Sequence, residues 1–396
     1  MEQGLLIKQG CIHNAIQEEP FVGDILVING KIAKIAPILE GKAINDAEIF
    51  DAEGCEVYPG FVDAHCHLGL QGTAVGYEGE DFNELSDCIT PQLSAIDAVN
   101  PQDETFAMAR SGGVTCVATG PGSSNVVGGT FCAIKTAGKR IDHMLVKKAV
   151  GMKIAFGENP KNCYKRNGIY SRMTIAADIR ELLYRTQDYQ KRKLAAGFSD
   201  DVSYEKMPPY DAKLEAMLPV IEGELPLKAH VHRADDIFTA IRIAKEFGIG
   251  LCLDHVTDGS LTAKELAKEG VSLAIGPSLG HPTKYELKHK SFATPGILAK
   301  AGCQVAIITD SPVIEERFLA LCAGYAIDYG MTEFQALQAI TIHAAKHIGV
   351  EKRVGSIEEG KDGDFVVVKG NPFVRNPEIV RTIIEGKTVF EPRKMG

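Results

Sequence analysis

The rhythm of apolar and polar positions changes twice along the chain. From residue 1 to about 57, short stretches alternate apolar with polar residues between turn signals, which predicts strands at Gly4–Lys8, Gly23–Ile28 and Lys31–Ile35. Asn29-Gly30 is a strong hairpin turn between the last two. The final fifty residues return to this style. Asp364–Lys369 predicts one strand, and Val380 to Phe390 predicts two short ones around Glu385-Gly386. Chain ends often lie close together in space. Residues 1–57 and 350–396 are therefore expected to build one composite β domain, a small β-sandwich.

Residues 58–349 follow another pattern. Val114–Thr119, Leu227–His232, Leu251–His255, Val271–Ile275 and Val305–Asp310 are short apolar runs that predict strands. Between them, Ile237–Phe247, Leu261–Glu269 and Phe334–Ile348 carry the i, i+3, i+4 spacing of helices. Strand–helix alternation over this length predicts an α/β fold, a TIM-like (β/α)8 barrel with parallel strands. The polar stretch Glu158–Asp211 is expected to leave the barrel as an excursion carrying one helix, Ile175–Tyr189. There is no internal repeat and no low-complexity tract.

Composition narrows the function classes. Hydrophobic residues make up 45% and charged residues 24%, which excludes a disordered or fibrous chain. The net charge of −9, with no Lys/Arg run beyond doublets such as Lys147-Lys148, argues against a nucleic-acid partner. Ten cysteines form no Cys-x-x-Cys pair, and several lie in apolar runs. This favours free thiols in a reducing compartment. No secretory pattern opens the chain and no apolar run reaches membrane-spanning length. A cytoplasmic enzyme with a small-molecule substrate, no membrane partner and room for homo-oligomerisation is the expectation.

The candidate chemistry lies at predicted strand ends. His65 and His67 close the run from Val57, and alternate strand residues point to one side. His230 and His232 repeat that spacing, His255 closes a third run and Asp310 a fourth. Barrel strands converge at their C-terminal ends on the active face. Buried imidazoles and carboxylates need partners, and neutral imidazole is a favoured ligand of divalent metals. Together these residues point to a metal site. His343 and His347, four apart, lie in an apolar stripe and read as packing or surface residues.

The chain resembles the amidohydrolase superfamily of metal-dependent hydrolases. Pro59-Gly-Phe-Val-Asp-Ala-His-Cys-His-Leu resembles its first-strand signature, and Gly355-Ser-Ile-Glu-Glu-Gly-Lys-Asp-Gly-Asp-Phe-Val-Val its return into the β domain. Lys153-Ile-Ala-Phe-Gly-Glu-Asn-Pro-Lys and His230-Val-His-Arg-Ala-Asp-Asp-Ile resemble imidazolonepropionase-like and prolidase-like members. The resemblance implies one or two divalent ions, zinc foremost. It implies His65, His67, His230 and His255 as ligands, and Asp310 as both ligand and proton shuttle. The remaining ligand is Glu158, which is preferred, or a carboxylated Lys153; an unmodified lysine supplies no oxygen ligand.

One departure narrows the reaction. Deaminases and imidazolonepropionase of the superfamily carry a proton-shuttling glutamate three residues after the fifth-strand histidine, where this chain has Arg233. A guanidinium stays charged and cannot replace that acid. Deamination is disfavoured, as is close functional kinship with imidazolonepropionase, and Arg233 suits a bidentate grip on a substrate carboxylate, or a salt bridge to Asp235 or Asp236. His232 and His281 are expected to orient substrate, and the Gly120-Pro-Gly-Ser-Ser-Asn loop either offers N–H groups or merely turns the chain. The expected reaction is hydrolysis of a C–N bond in an amide, cyclic amide or dipeptide-like substrate. An ester or lactone hydrolase and a catalytically idle scaffold are the competing readings.

Overall fold

The computed structural model describes residues 4–40, 47–72, 76–197 and 207–392. Its strands form two eight-stranded sheets. The first is drawn from both ends of the chain: β1 (Gly4–Ile12), β2 (Phe21–Ile28), β3 (Lys31–Ala36), β4 (Ala47–Asp51) and β5 (Glu56–Pro59), with β14 (Phe365–Lys369), β15 (Glu378–Ile384) and β16 (Lys387–Phe390). The seam is β5, which runs parallel to β1 and antiparallel to β14. Leu5, Ile7, Ile25, Val27, Val57, Phe365, Val367 and Ile383 bury the apolar face. Asn29 and Gly30 both adopt positive φ in the β2–β3 turn, as do Glu385 and Gly386 between β15 and β16. A two-residue turn of this kind matches the twist of the strands it joins.

The second sheet is a nearly closed barrel whose strands neighbour one another in chain order. They are β6 (Phe61–Cys66), β7 (Val114–Thr119), β8 (Val127–Lys135), β9 (Leu145–Ala155), β10 (Leu227–Val231), β11 (Leu251–His255), β12 (Ser272–Ile275) and β13 (Val305–Ile307). The expectation of wholly parallel strands needs correction. β8 runs antiparallel to both β7 and β9. Parallel neighbours need a crossover of a dozen or more residues, and the short 136–144 connection permits only a hairpin. The first and eighth strands are tied at the mouth: Asp310 N donates to His65 O (3.2 Å), His67 N to Ser311 O (2.8 Å), and Thr309 N to Asp63 Oδ2 (2.8 Å).

Two helices depart most from their expected bounds. The excursion helix runs from Arg172 to Gly197; residues 198–206 of that excursion lie outside the described residues. The helix expected over Phe334–Ile348 is two, Glu333–Ala339 and Ile342–His347. Thr341 breaks the run at φ −137, ψ −99, with its hydroxyl bonded back to Leu337 O. The apolar spacing survives the break because both pieces pack on the barrel.

Candidate metal centre

Four strand ends deliver the candidate donors to the barrel mouth. β6 carries His65 and is followed at once by His67; β10 carries His230, with His232 just beyond it. β11 ends on His255, and Asp310 follows β13. All four imidazoles expected as ligands are buried, as is His232. Two of these residues hold unusual backbones: His255 has φ 73 and Asp310 has φ 55. A non-glycine left-handed residue costs on the order of 1–3 kcal/mol. Here it turns each side chain off its strand and into the mouth.

The donors gather in two groups. In one, ligand atoms of His65, His67 and Asp310 lie within 4.8 Å of one another; in the other, those of His230, His232 and Glu286 do. Asp310 Oδ1 is 3.4 Å from His65 Nε2 and 3.3 Å from His67 Nε2. The His255 ring spans the two, its centroid 5.0 Å from that of His65 and 4.3 Å from that of His230. Glu158 joins neither group. Its backbone N–H donates to Glu286 Oε2 (2.9 Å), and its own carboxylate accepts from Glu286 N (3.2 Å), so it is spent pinning one loop to another. The lysine is the group beside the histidines: Lys153 Nζ, fully buried, lies 3.4 Å from His65 Nε2 and over the Phe131 ring.

Outer contacts orient the imidazoles. His67 Nδ1 is 2.7 Å from Gly120 O, His255 Nδ1 is 2.8 Å from Gly276 O, and His232 Nδ1 is 2.8 Å from Thr257 Oγ1. A carbonyl can only accept, so His67 and His255 carry hydrogen on Nδ1 and present a lone pair at Nε2. Gly120 is required for this approach, since a Cβ there would meet the Phe131 ring at 2.2 Å. His230 Nε2 and His255 Nε2 are buried and have no hydrogen-bond partner. An unpaired buried nitrogen costs about 1–3 kcal/mol. Two such nitrogens aimed into one mouth, beside a carboxylate, fit a divalent cation.

The electrostatics agree with that use. Burial, then the neighbouring rings and Lys284, push His230 well below the usual histidine range; burial and then Lys284 do the same to His232. Burial drives His255 down to about 3. Neutral imidazole is the ligating form. Burial works against ionised Asp310, but His255, His65 and His67 outweigh it and hold the carboxyl well below its ordinary value. Burial also lowers Lys153 to about 8, with Lys228 adding to the effect and Asp254 and Asp310 opposing it.

A second layer lies deeper in the barrel. Asp254 Oδ2 is 2.9 Å from His65 Nδ1, while its Oδ1 is 2.8 Å from Lys228 Nζ and 3.1 Å from His347 Nε2. His347 reaches Ser272 Oγ with its other nitrogen (2.8 Å). All four charged or titratable side chains are 0–1% exposed. His347, read from the sequence as a packing or surface residue, is buried beneath the site and joins neither donor group. Lys228 went unremarked in the sequence, although a lysine on the same face of an apolar strand as His230 is a signal that could have found it. The loop residues Lys284 and Glu286 leave no such signal in the sequence.

Other expected site residues lie elsewhere. Arg233 closes a bidentate pair with Asp235 (Nε–Oδ1 3.0 Å, Nη2–Oδ2 2.7 Å) just before helix Ala234–Phe247, so its guanidinium is engaged outside the donor groups. Asp235 is two residues away, and so short a loop of chain closes at little entropic cost. His281 is exposed on the loop after β12 and joins neither donor group. In the Gly120 loop, Gly122 N donates to Phe82 O and Ser124 N to Asn83 Oδ1. Those N–H groups anchor the 76–99 segment, which supports the turn reading.

Comparison with known proteins gives a consistent picture. A profile described as the amidohydrolase family matches residues 212–389. The chain is 28% identical over 396 aligned residues to "Amidohydrolase tasK" of Hapsidospora irregularis, covering 94% of this chain but 40% of that protein. It is 24% identical to an imidazolonepropionase of Thermoplasma volcanium, covering 93% of this chain and 91% of the relative. An adenine deaminase of Methanosphaera stadtmanae is 25% identical, with 99% and 59% covered. The chain thus spans less than two thirds of the length of two of these relatives. Among solved structures, an amidohydrolase from Thermotoga maritima MSB8 superposes with a TM-score of 0.93 at 40% identity, covering 98% of this chain and all of that one. A Xaa-Pro dipeptidase with methionine in its active site shares the fold, with a TM-score of 0.60 at 17% identity.

Proposed function

The chain belongs to the amidohydrolase family, and from that premise we propose that it is a hydrolase that cleaves a C–N bond in a small amide, cyclic amide or dipeptide-like substrate with the help of zinc or a similar divalent ion. One observation carries the reading: buried, partnerless Nε2 atoms of His230 and His255 face the mouth that also holds the His65, His67 and Asp310 group. His65, His67, His230, His255 and Asp310 would hold the metal. Relatives named imidazolonepropionase and adenine deaminase support the C–N bond. The reading includes a cytoplasmic location: all ten cysteines are free, and among the described residues no helix is long and apolar enough to cross a membrane.

A divalent metal bound here supplies a Lewis acid and brings the pKa of water from about 15.7 towards 7. The remaining chemistry falls to the chain. Asp310, held as a carboxylate, takes a proton from the attacking water and returns it to the departing nitrogen, so amide plus water gives carboxylic acid plus amine and Asp310 is regenerated. His232, fixed at Nδ1 by Thr257, orients the substrate at the edge of the second donor group. Lys153 replaces Glu158 as the candidate sixth ligand. With its pKa at about 8, a useful share of the amine is neutral near pH 7–8 and can add CO2 to give an oxygen-bearing carbamate.

Elemental analysis of the purified protein, followed by a screen of metal-loaded protein against N-acyl amino acids, dipeptides and cyclic amides, tests the proposal. Stoichiometric divalent metal and turnover of at least one amide are expected. On that substrate Asp310→Asn should keep the fold and most metal, and kcat should fall about 10²–10⁴-fold. A variant retaining more than about a tenth of the wild-type kcat would remove Asp310 from the mechanism.

A further inference from the structure

The cation expected to grip a substrate carboxylate was Arg233, and Arg233 is closed on Asp235. Another cation faces the donors. Lys284, on the loop between β12 and helix Thr294–Lys300, stands two positions before Glu286: its Nζ lies 2.8 Å from Glu286 Oε1, and that oxygen lies 3.9 Å from His232 Nε2. We infer that Lys284 is a specificity-determining residue that receives an anionic group of the substrate, a carboxylate next to the scissile amide, as in an N-acyl amino acid or the C-terminal half of a dipeptide. This inference rests on the hydrolase reading above and names its substrate class.

Three observations support it. First, an ammonium has three donors; one goes to Asn159 Oδ1 (2.9 Å), and Glu286 Oε1, 2.8 Å away, is an ion-pair partner that receives no hydrogen bond. Among the described residues no other hydrogen bond from this ammonium is made, and the side chain keeps 23% of its exposure. Second, the amine is not free to swing. Asn159 belongs to the short helix after β9, and Glu286 is fixed by Glu158 N (2.9 Å) and Arg172 Nη2 (3.4 Å), with Arg172 itself held by Asp236 (2.8 Å). Loops after three barrel strands thus cooperate to position one ammonium. Third, Glu286 is 1% exposed, so a buried carboxylate fixes the lysine from below while its tip stays reachable. A fixed cation beside the donor groups selects substrates by charge and binds them in one orientation.

The test compares binding of matched pairs to the metal-loaded full chain: N-acetyl amino acids with small, aliphatic, aromatic and charged side chains, each against its C-terminal carboxamide. Titration calorimetry reads affinity without needing turnover. At least one acid should bind about tenfold or more tightly than its amide, the scale of a hydrogen bond to a charged group. Lys284→Met should weaken the acid about ten- to hundredfold, leave the amide within twofold and keep the metal content, and Lys284→Arg should restore part of the preference. Equal binding of acid and amide across the panel, a preference for the amides, equal weakening of both partners in Lys284→Met, or loss of metal from that variant would each overturn the inference. Failure of every compound to turn over would count against C–N hydrolysis without altering the acid-to-amide ratio, so the two readings fail separately.

Discussion

At the scale of single residues, the site is organised around atoms with no partner and atoms with too many. His230 Nε2 and His255 Nε2 are buried without a hydrogen bond, whereas Asp254 Oδ1 takes both Lys228 and His347 and its Oδ2 lies against His65 Nδ1 (2.9 Å). Burial opposes its charge, yet Lys228, His65 and His347 hold Asp254 well below the usual carboxylate range. Asp254 then fixes the His65 ring and counters a fully buried lysine. Asp254→Asn keeps the shape and removes the charge, leaving Lys228 buried without a counter-ion. Breaking a buried pair costs about 3–5 kcal/mol, and loss of such an outer partner typically weakens metal binding about 10–100-fold. Both effects are expected, read by urea unfolding and by competition with a metal indicator. Unchanged metal affinity in a destabilised variant would make the Asp254 network a structural brace only. Its members show what sequence can reveal: strand parity could have singled out Lys228, whereas the match between Asp254 and His347, 93 positions apart, depends on a helix docking that periodicity does not specify.

At the scale of elements, the strand ends were legible and their directions were not. Alternation placed His65, His230 and His255 at the ends of apolar runs, and each run is a strand. β8 and β9 escaped notice because Val127–Lys135 mixes glycines with apolar residues, and their antiparallel course follows from a short connection rather than from any residue pattern. The β8–β9 hairpin does more than close the barrel. Its Lys135, nearly buried, pairs with Asp362 (2.8 Å) and with Asp364 (2.5 Å) in the segment that leads into β14, joining the two sheets. Burial would raise the Asp362 carboxyl, but Lys135, Lys31 and Arg353 outweigh it and hold it at about 2. The folded pKa is below the ordinary 3.8, so the stability this pair contributes is complete above pH 3.8 and is lost as pH falls through about 2. Asp362→Asn should lower the unfolding free energy at pH 7 by about 3 kcal/mol, and the gap to wild type should narrow between pH 4 and pH 2. A gap independent of pH across that range would show that shape rather than charge makes the contact.

At the scale of the whole molecule, the barrel is closed by the same residues that gather the donors. β6 and β13 meet through Asp310 N to His65 O and His67 N to Ser311 O, so the first and eighth strands are tied beside the His65, His67 and Asp310 group. If, as proposed, His65, His67, His230, His255 and Asp310 hold an ion, its ligands would come from segments far apart in sequence that are assembled only in the folded chain. Binding to the native state alone stabilises it by about 2.7 kcal/mol when free metal is a hundredfold above its dissociation constant. Removing the metal should therefore lower the melting temperature and leave the imidazoles facing one another with unpaired nitrogens. The expected result is a chelator-treated protein that melts several degrees earlier, regains its original transition when zinc is returned, and keeps its far-ultraviolet circular dichroism throughout. Recovery should be lost when His230 and His255 are both replaced by alanine, even though those side chains lack partners in the fold itself. If chelation leaves the transition unmoved in wild type, or zinc still restores it in the double variant, the strand-end histidines are not the residues through which metal supports this barrel.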